Sequence, residues 1–259
     1  MIGQILRKLV ECNVAASRAF DRLLPRDLTL DGNRYFMDSF YVRFLERACK
    51  VFDIGGGRHP AIAPARKLQF ELSVTGVDIS AEELAGAPDG AYDQVVCADI
   101  TTYHGGASAD LVLCQSLLEH VPSTDGAFRS MASILKPGGT ALLFCPSRNA
   151  MFARLNLLLP ERVKRAILFA VFPAARGSQG FRSYYDHCTP LDFERMAAAH
   201  GFEVVERHLF YSSSYFSFLL PLHVLWRAWI ILYRAVSPVQ SAETFVYALR
   251  RTDPLPPGA

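Results

Sequence analysis

The sequence predicts an α/β chain built on a mostly parallel, doubly wound sheet of seven strands with helices on both faces. Three observations predict it. From Lys50 onward, short apolar runs alternate with helical ones, which is the pattern of a parallel sheet covered on both sides. The first run, KVFDIG, leads into three consecutive glycines, Gly55, Gly56 and Gly57, a strand-to-helix turn bare enough to let backbone approach a ligand beyond the strand ends. A chain of 259 residues with 51% hydrophobic content, without repeats or low-complexity tracts, suffices for one large core.

The elements follow in order. Residues 1–49 read as an N-terminal helical cap. Its start, MIGQILRKLVECNV, has apolar residues at helical spacing interrupted by Arg7, Lys8 and Glu11, unlike the unbroken apolar region of a secretion signal. A cytoplasmic location is the expectation. Residues 50–259 read as the main domain. After KVFDIG, Arg58 and His59 are expected to begin a helix whose entry Pro60 fixes, continuing into IAPARKLQFEL. VTGVDIS is the second strand, and SAEEL a helix with a capping box of Ser80 and Glu83. DQVVCADI and ADLVLCQS are the third and fourth strands. STDGAFRSMASIL is a helix capped by Ser123, KPGG a turn, and TALLFCP the fifth strand. TPLDFERMAAAHG is a helix capped at Thr189 and stopped by Gly201. FEVVERHLFYS and ETFVYALRR complete the sheet. Two apolar helical insertions, 148–188 and 212–240, stand outside the alternation.

The formal net charge of +2 is too small to imply a nucleic-acid partner. Six cysteines without a C-x-x-C pair read as buried thiols of a reducing compartment.

The chemistry is carried by carboxylates at strand ends. Asp53 precedes the glycine turn, where an acid suits a cationic ligand better than a pyrophosphate. Asp78 ends the second strand, placed to accept both hydrogen bonds of a ribose diol, and Asp99 ends the third, placed to accept from an adenine amino group. Pro60 breaks the dinucleotide fingerprint, so a dehydrogenase is disfavoured. With LEHV and LKPGG following in order, the stretch from Lys50 to Ser147 resembles the class I S-adenosylmethionine-dependent methyltransferases. The resemblance implies a Rossmann-like fold and S-adenosyl-L-methionine as cofactor. It places Asp53, Gly55, Gly56 and Gly57 around the methionine part, Asp78 at the ribose, and Ile79, Asp99 and Ile100 at the adenine. Gln115 falls near the methionine end. His59 stands where the family usually has a third glycine, and either contacts the cofactor carboxylate or caps the turn.

Methyl transfer needs a base when the acceptor is a hydroxyl. Candidates are Glu119 and His120 after the fourth strand, and Tyr185 and His187 in SYYDHCTP. His120 reads equally as a strand-end residue bonded to backbone, and His187 as packing beside the Thr189 cap. Ubiquinone-pathway O-methyltransferases resemble the chain at LEHV but use a glutamate three residues earlier in a metal site. That position is Ser116, so no metal is expected.

The insertions suggest the acceptor. Residues 148–182 hold seven basic residues against one acid, Glu161, among apolar runs. The segment from Tyr215 to Val236 is long and apolar enough to suggest a membrane span, but it lies between two strands of one sheet, which argues against a crossing. His223, Arg227 and Arg234 share one narrow helical face. Such a helix lies in a membrane interface, packs under another apolar element, or closes a greasy pocket. The expectation is O-methylation of an amphipathic or lipid-linked small-molecule acceptor, such as a polyprenyl-linked glycan, by a peripheral protein at the inner membrane face. The rivals are a methyltransferase for a soluble quinone or natural product, with the insertions as a closed lid, and a non-catalytic cofactor-binding scaffold.

Overall fold

The computed structural model describes residues 2–160 and 182–252, with backbone alone for residues 2–6. Seven strands make one sheet: β1 (Lys50–Ile54), β2 (Ser73–Asp78), β3 (Gln94–Cys97), β4 (Ala109–Gln115), β5 (Leu135–Pro146), β6 (Phe202–Phe210) and β7 (Thr244–Arg251). Their order is β3-β2-β1-β4-β5-β7-β6. The first five pair in parallel, and β7 runs antiparallel to both β5 and β6. Chain order reverses between β1 and β4, which opens a crevice at their carboxyl ends.

Helices cover both faces: α1 (Ile2–Asp21), α2 (Pro64–Phe70), α3 (Ala81–Ala85), α4 (Thr124–Ile134), α5 (Met151–Leu158), α6 (Pro190–Ala199) and α7 (Leu220–Val236). The two-residue period of the strands sorts their side chains between two cores. Leu111, Leu113, Leu142 and Phe144 pack with Phe36, Phe40 and Tyr41 of the N-terminal segment. Val112, Cys114, Leu143 and Cys145 pack on the other face with Phe128 of α4 and Phe193 of α6. Central strands buried on both sides read as continuous apolar runs for this reason.

Several local signals hold. Ser123 accepts from Gly126 N at 3.1 Å, Thr189 accepts from Asp192 N at 3.2 Å, and Gly201 adopts φ +73 after α6. Others fold differently. Helix α2 opens at Pro64, not at Arg58, because the chain from Gly55 to Ala61 is tied down as a loop around Asp53. Half of the predicted capping box forms: Ser80 Oγ accepts from Glu83 N, but the Glu83 carboxylate is taken by Arg58. The KPGG turn is a bulge at the head of β5. Ala109 pairs with Leu135 and Leu111 with Thr140, so Asp110 alone faces residues 136–139, and Gly138 takes φ +78.

Helix α7 packs beside α1, and its orientation differs from every placement that puts the polar face in solvent. His223 and Arg227 are each only 1% exposed. Both reach Asp21 Oδ1 at the end of α1, His223 Nε2 at 2.9 Å and Arg227 Nε at 2.8 Å. Arg227 also donates to the carbonyls of Leu28 and Tyr211 and to Ser212 Oγ, at 2.9, 3.0 and 3.2 Å. A buried guanidinium is tolerable only when so paired, and Asp21 supplies the counter-charge. No helix among the described residues is long and apolar enough to cross a membrane. Of the first insertion, Arg162, Lys164, Arg165 and Arg176 lie outside the described residues.

Candidate active site

The cleft at the strand ends begins with the glycine loop. Asp53, near the end of β1, is 2% exposed, and its Oδ2 accepts from Ala61 N at 2.8 Å. The Tyr92 hydroxyl bridges the same loop, 3.1 Å from Gly57 O and 3.4 Å from Asp53 Oδ2. A Cβ at Gly56 would stand 2.5 Å from that carboxylate oxygen, so only glycine fits between Asp53 and Tyr92. Gly55 takes φ +76 with Leu117 directly above it. Burial raises the Asp53 carboxyl to about 6. Asp53 therefore shapes the loop, and the cavity wall begins at the next residues, Ile54 and Gly55. Arg58 fixes the outer side of the loop, pairing with both oxygens of Glu83 at 2.6 and 2.8 Å. His59 is exposed, and its amide closes the turn to Gly56 O at 2.8 Å.

The cleft encloses about 260 Å³. Ile54, Gly55, Asp78, Ile79, Asp99 and Ile100 form one wall, and Ser116, Leu117, His120 and Val121 the other. Asp78 Oδ1 accepts from Ser80 N at 2.9 Å, and burial raises its pKa above the usual carboxylate value. Both donors to Asp99, Thr101 N and Oγ1, meet Oδ1 at 2.8 Å, which leaves acceptor capacity on Oδ2. Ile79 is 62% exposed at the rim, where a flat ring would cover it. Two carboxylates at neighbouring strand ends, an exposed isoleucine between them and a loop without side chains fit an S-adenosyl group. Gly56, Gly57 and Gln115 adjoin this cavity in sequence and are not among its lining residues. The Gln115 amide donates to Asn33 Oδ1 at 2.6 Å, tethering the N-terminal segment to the end of β4.

The acceptor candidates separate. His120 lines the cleft, and its Nδ1 donates to Arg182 O at 3.1 Å. Glu119 lies behind it, 4% exposed, with Oε1 3.8 Å from His120 Nε2. Burial pushes the Glu119 carboxyl up to about 8. Tyr185 is buried beside Glu119, its amide bonded to Glu119 O at 3.0 Å, and burial raises its phenol. His187 does not reach the cleft: its side chain is 61% exposed, 3.7 Å from Asp186. The reason is local. Asp186 is anchored to Thr124 N at 2.9 Å, which turns the next side chain outward. Ser116, Tyr185 and His187 all take positive φ, between 48 and 51.

A methyltransferase-domain family model matches residues 16–207 of the chain. The chain belongs to the class I S-adenosylmethionine-dependent methyltransferases. Its sheet matches that of an S-adenosylmethionine-dependent methyltransferase from Methanosarcina mazei, with TM-score 0.53 and 15% identity over 83% of this chain and 97% of that one. It also matches phosphoethanolamine N-methyltransferase 2 of Haemonchus contortus in complex with S-adenosyl-L-methionine (TM-score 0.52, 19% identity, 93% of this chain and 57% of that one). These two likenesses show the fold alone. Among curated proteins, a ubiquinone biosynthesis O-methyltransferase of Paracidovorax citrulli is 35% identical over 124 residues, 44% of this chain and 50% of that protein. The chain thus spans about half the length of that curated relative. In this methyltransferase no cluster of three His, Cys, Asp or Glu among the described residues is placed to hold a metal ion.

The residues that escaped sequence reasoning are Tyr92, Leu117 and Asn33. Tyr92 carries no motif. Its role arises because β2 and β3 bring the residue under the glycine loop, 39 positions after Asp53.

Proposed function

We propose that the protein transfers a methyl group from S-adenosyl-L-methionine to a hydroxyl oxygen of an amphipathic acceptor. The observation that supports this most is His120, standing in the cleft wall with its Nδ1 held by Arg182 O. When bound, the cofactor supplies an electrophilic methyl on a sulfonium. A neutral His120 imidazole would take the acceptor's proton on Nε2, while the methyl group would pass from sulfur to the acceptor oxygen, its S–C bond breaking to release a neutral thioether. Arg182 O holds the imidazole in that tautomer. Neutral Glu119 behind it adds no charge until pH approaches its raised value of about 8. Most of the remaining acceleration is attributed to alignment, worth effective molarities of about 10⁵ to 10⁸ M in well-oriented systems.

The acceptor side is aromatic. Tyr185 is buried next to Glu119, and Tyr215 stacks on Phe152 with ring centroids 4.0 Å apart. The name of the curated relatives favours a phenolic hydroxyl of the quinone type over a polyprenyl-linked glycan. The test is transfer from methyl-labelled S-adenosyl-L-methionine to an envelope extract, followed by partition between organic solvent and water. Label in the organic phase is expected, with His120→Ala slower by roughly 10²- to 10⁴-fold at unchanged cofactor affinity. Label confined to water would favour a soluble acceptor. Cofactor binding with no transfer to any fraction would favour a scaffold.

A further inference from the structure

Tyr92 is locked between β2 and the glycine loop. The next residue, Asp93, fixes the backbone there: its N donates to Val74 O at 2.8 Å, and its Oδ2 accepts from Val74 N at 2.8 Å. Lys67 Nζ adds bonds to Asp93 Oδ1 and Gly90 O, at 2.6 and 3.0 Å. The ring of Tyr92 packs on Gly76 of β2, where an added Cβ would stand 2.9 Å from three ring atoms. Its hydroxyl meets Gly56, where an added Cβ would stand 2.6 Å from the oxygen. Two glycines, one in a strand and one in the loop, therefore make room for a single tyrosine.

A phenol has one proton to donate, and two acceptors lie within its reach. The Tyr92 hydroxyl is 3.1 Å from Gly57 O and 3.4 Å from Asp53 Oδ2. Which of them takes the proton depends on Asp53. A protonated Asp53 is itself a donor, so the hydroxyl can accept from it and give its own proton to Gly57 O. An ionised Asp53 is a stronger acceptor than a peptide carbonyl and draws that proton away. Gly57 matters to the cleft because it abuts Asp78: an added Cβ would stand 3.1 Å from Asp78 Oδ2. Burial raises Asp53 to about 6, so the choice falls close to neutral pH. The other ionisable groups around Asp53 are few. Asp78 at the end of β2 raises it further, and the buried Cys114 thiol of β4 feels its charge. Glu83 of α3 lies against Gly57 and is engaged by Arg58, and His59 is exposed in the loop itself.

We propose that Tyr92 is a positioning residue of the cofactor site: its hydroxyl holds the Gly57 carbonyl while Asp53 carries a proton, and releases it when Asp53 ionises. The glycine loop is thereby set for the cofactor in the protonated state and slackened in the ionised one. The proposal is independent of the acceptor and of His120. Its test reads no methyl transfer, so the two readings fail separately.

The test is calorimetric titration of S-adenosylhomocysteine into the full chain from about pH 5 to about pH 8, for the wild type, Tyr92→Phe and Asp53→Asn. The wild type should bind about fivefold more tightly at the acid end, as one hydrogen bond implies, with a midpoint near 6. Tyr92→Phe keeps the ring on Gly76. It should bind about fivefold more weakly than the wild type at the acid end and within about twofold of it at the alkaline end. Asp53→Asn, whose amide donates but does not ionise, should flatten the profile and tests the proposal by itself. Equal affinities of wild type and Tyr92→Phe at the acid end would overturn the proposal. So would a weakening by Tyr92→Phe that is the same at both ends, since a packing role has no pH dependence. An inflection that survives Asp53→Asn would overturn it too, in favour of His59 or Asp78.

Discussion

In the cleft, Asp78 and Asp99 are each steadied by a donor two residues further along the chain, Ser80 N and Thr101 N, and keep acceptor capacity for a ligand. In the seam between α1 and α7, Asp21 is enclosed by two side chains more than 200 positions away, the His223 imidazole and the Arg227 guanidinium. Both regions hold a carboxylate against the cost of desolvation, by opposite means. Local support leaves an acid available to a ligand, whereas long-range pairing consumes it for the fold. For Asp21, burial raises the pKa, but the hydrogen bonds from Arg227 and His223 outweigh it and hold the group below the usual range.

The largest effect expected from breaking this contrast is at Arg227. Arg227→Met leaves Asp21 and two carbonyls without their donor and should destabilise the fold by about 3–5 kcal/mol. Thermal unfolding measures this. The molecules still folded should bind S-adenosylhomocysteine as the wild type does, since the seam lies outside the cleft.

A smaller effect separates the carboxyls by pH. Burial holds Asp53, Glu243 and Glu119 at about 6, 7 and 8, all above their ordinary values. Each keeps its proton in the folded state at pH values where the unfolded chain has lost it, so stability falls as pH rises from about 4 to 8. Glu119→Gln should flatten the upper part of that decline and stabilise the protein at pH 8 by on the order of 3 kcal/mol. Denaturant melts across pH check the slope. In the proposed reaction the same variant should remove an inflection near pH 8 from the rate profile.

The smallest effect is at the loop's outer brace. Arg58 and Glu83 keep 43% and 28% of their side chains exposed, so Arg58→Ala should leave stability nearly unchanged. Its clearer consequence should be a few-fold weaker cofactor affinity in a calorimetric titration, because the brace positions the glycine loop.

The same contrast explains what was legible in the sequence. The succession of strands and the places of Asp78, Ile79, Asp99 and His120 on the cleft wall were readable because each closely follows a strand end, where the fold itself sets the position. That Asp53 is buried under Tyr92 and tied to the Ala61 amide was not readable, because neither of those residues carries a motif. Helical spacing revealed that His223, Arg227 and Arg234 share a face of α7. Period alone does not say which face turns inward, and here a distant aspartate decided it. Likewise, the SYYDHCTP run did not reveal that Asp186 anchors to Thr124 and leaves His187 in solvent.

The most direct test of the central claim is a calorimetric titration of S-adenosylhomocysteine into wild-type protein and Asp78→Asn. The cleft as described predicts one binding site in the wild type and an affinity lower by about 10- to 100-fold in the variant, as loss of a charge-assisted hydrogen bond implies. Unchanged affinity in a folded Asp78→Asn protein would contradict the assignment of this cleft to the cofactor.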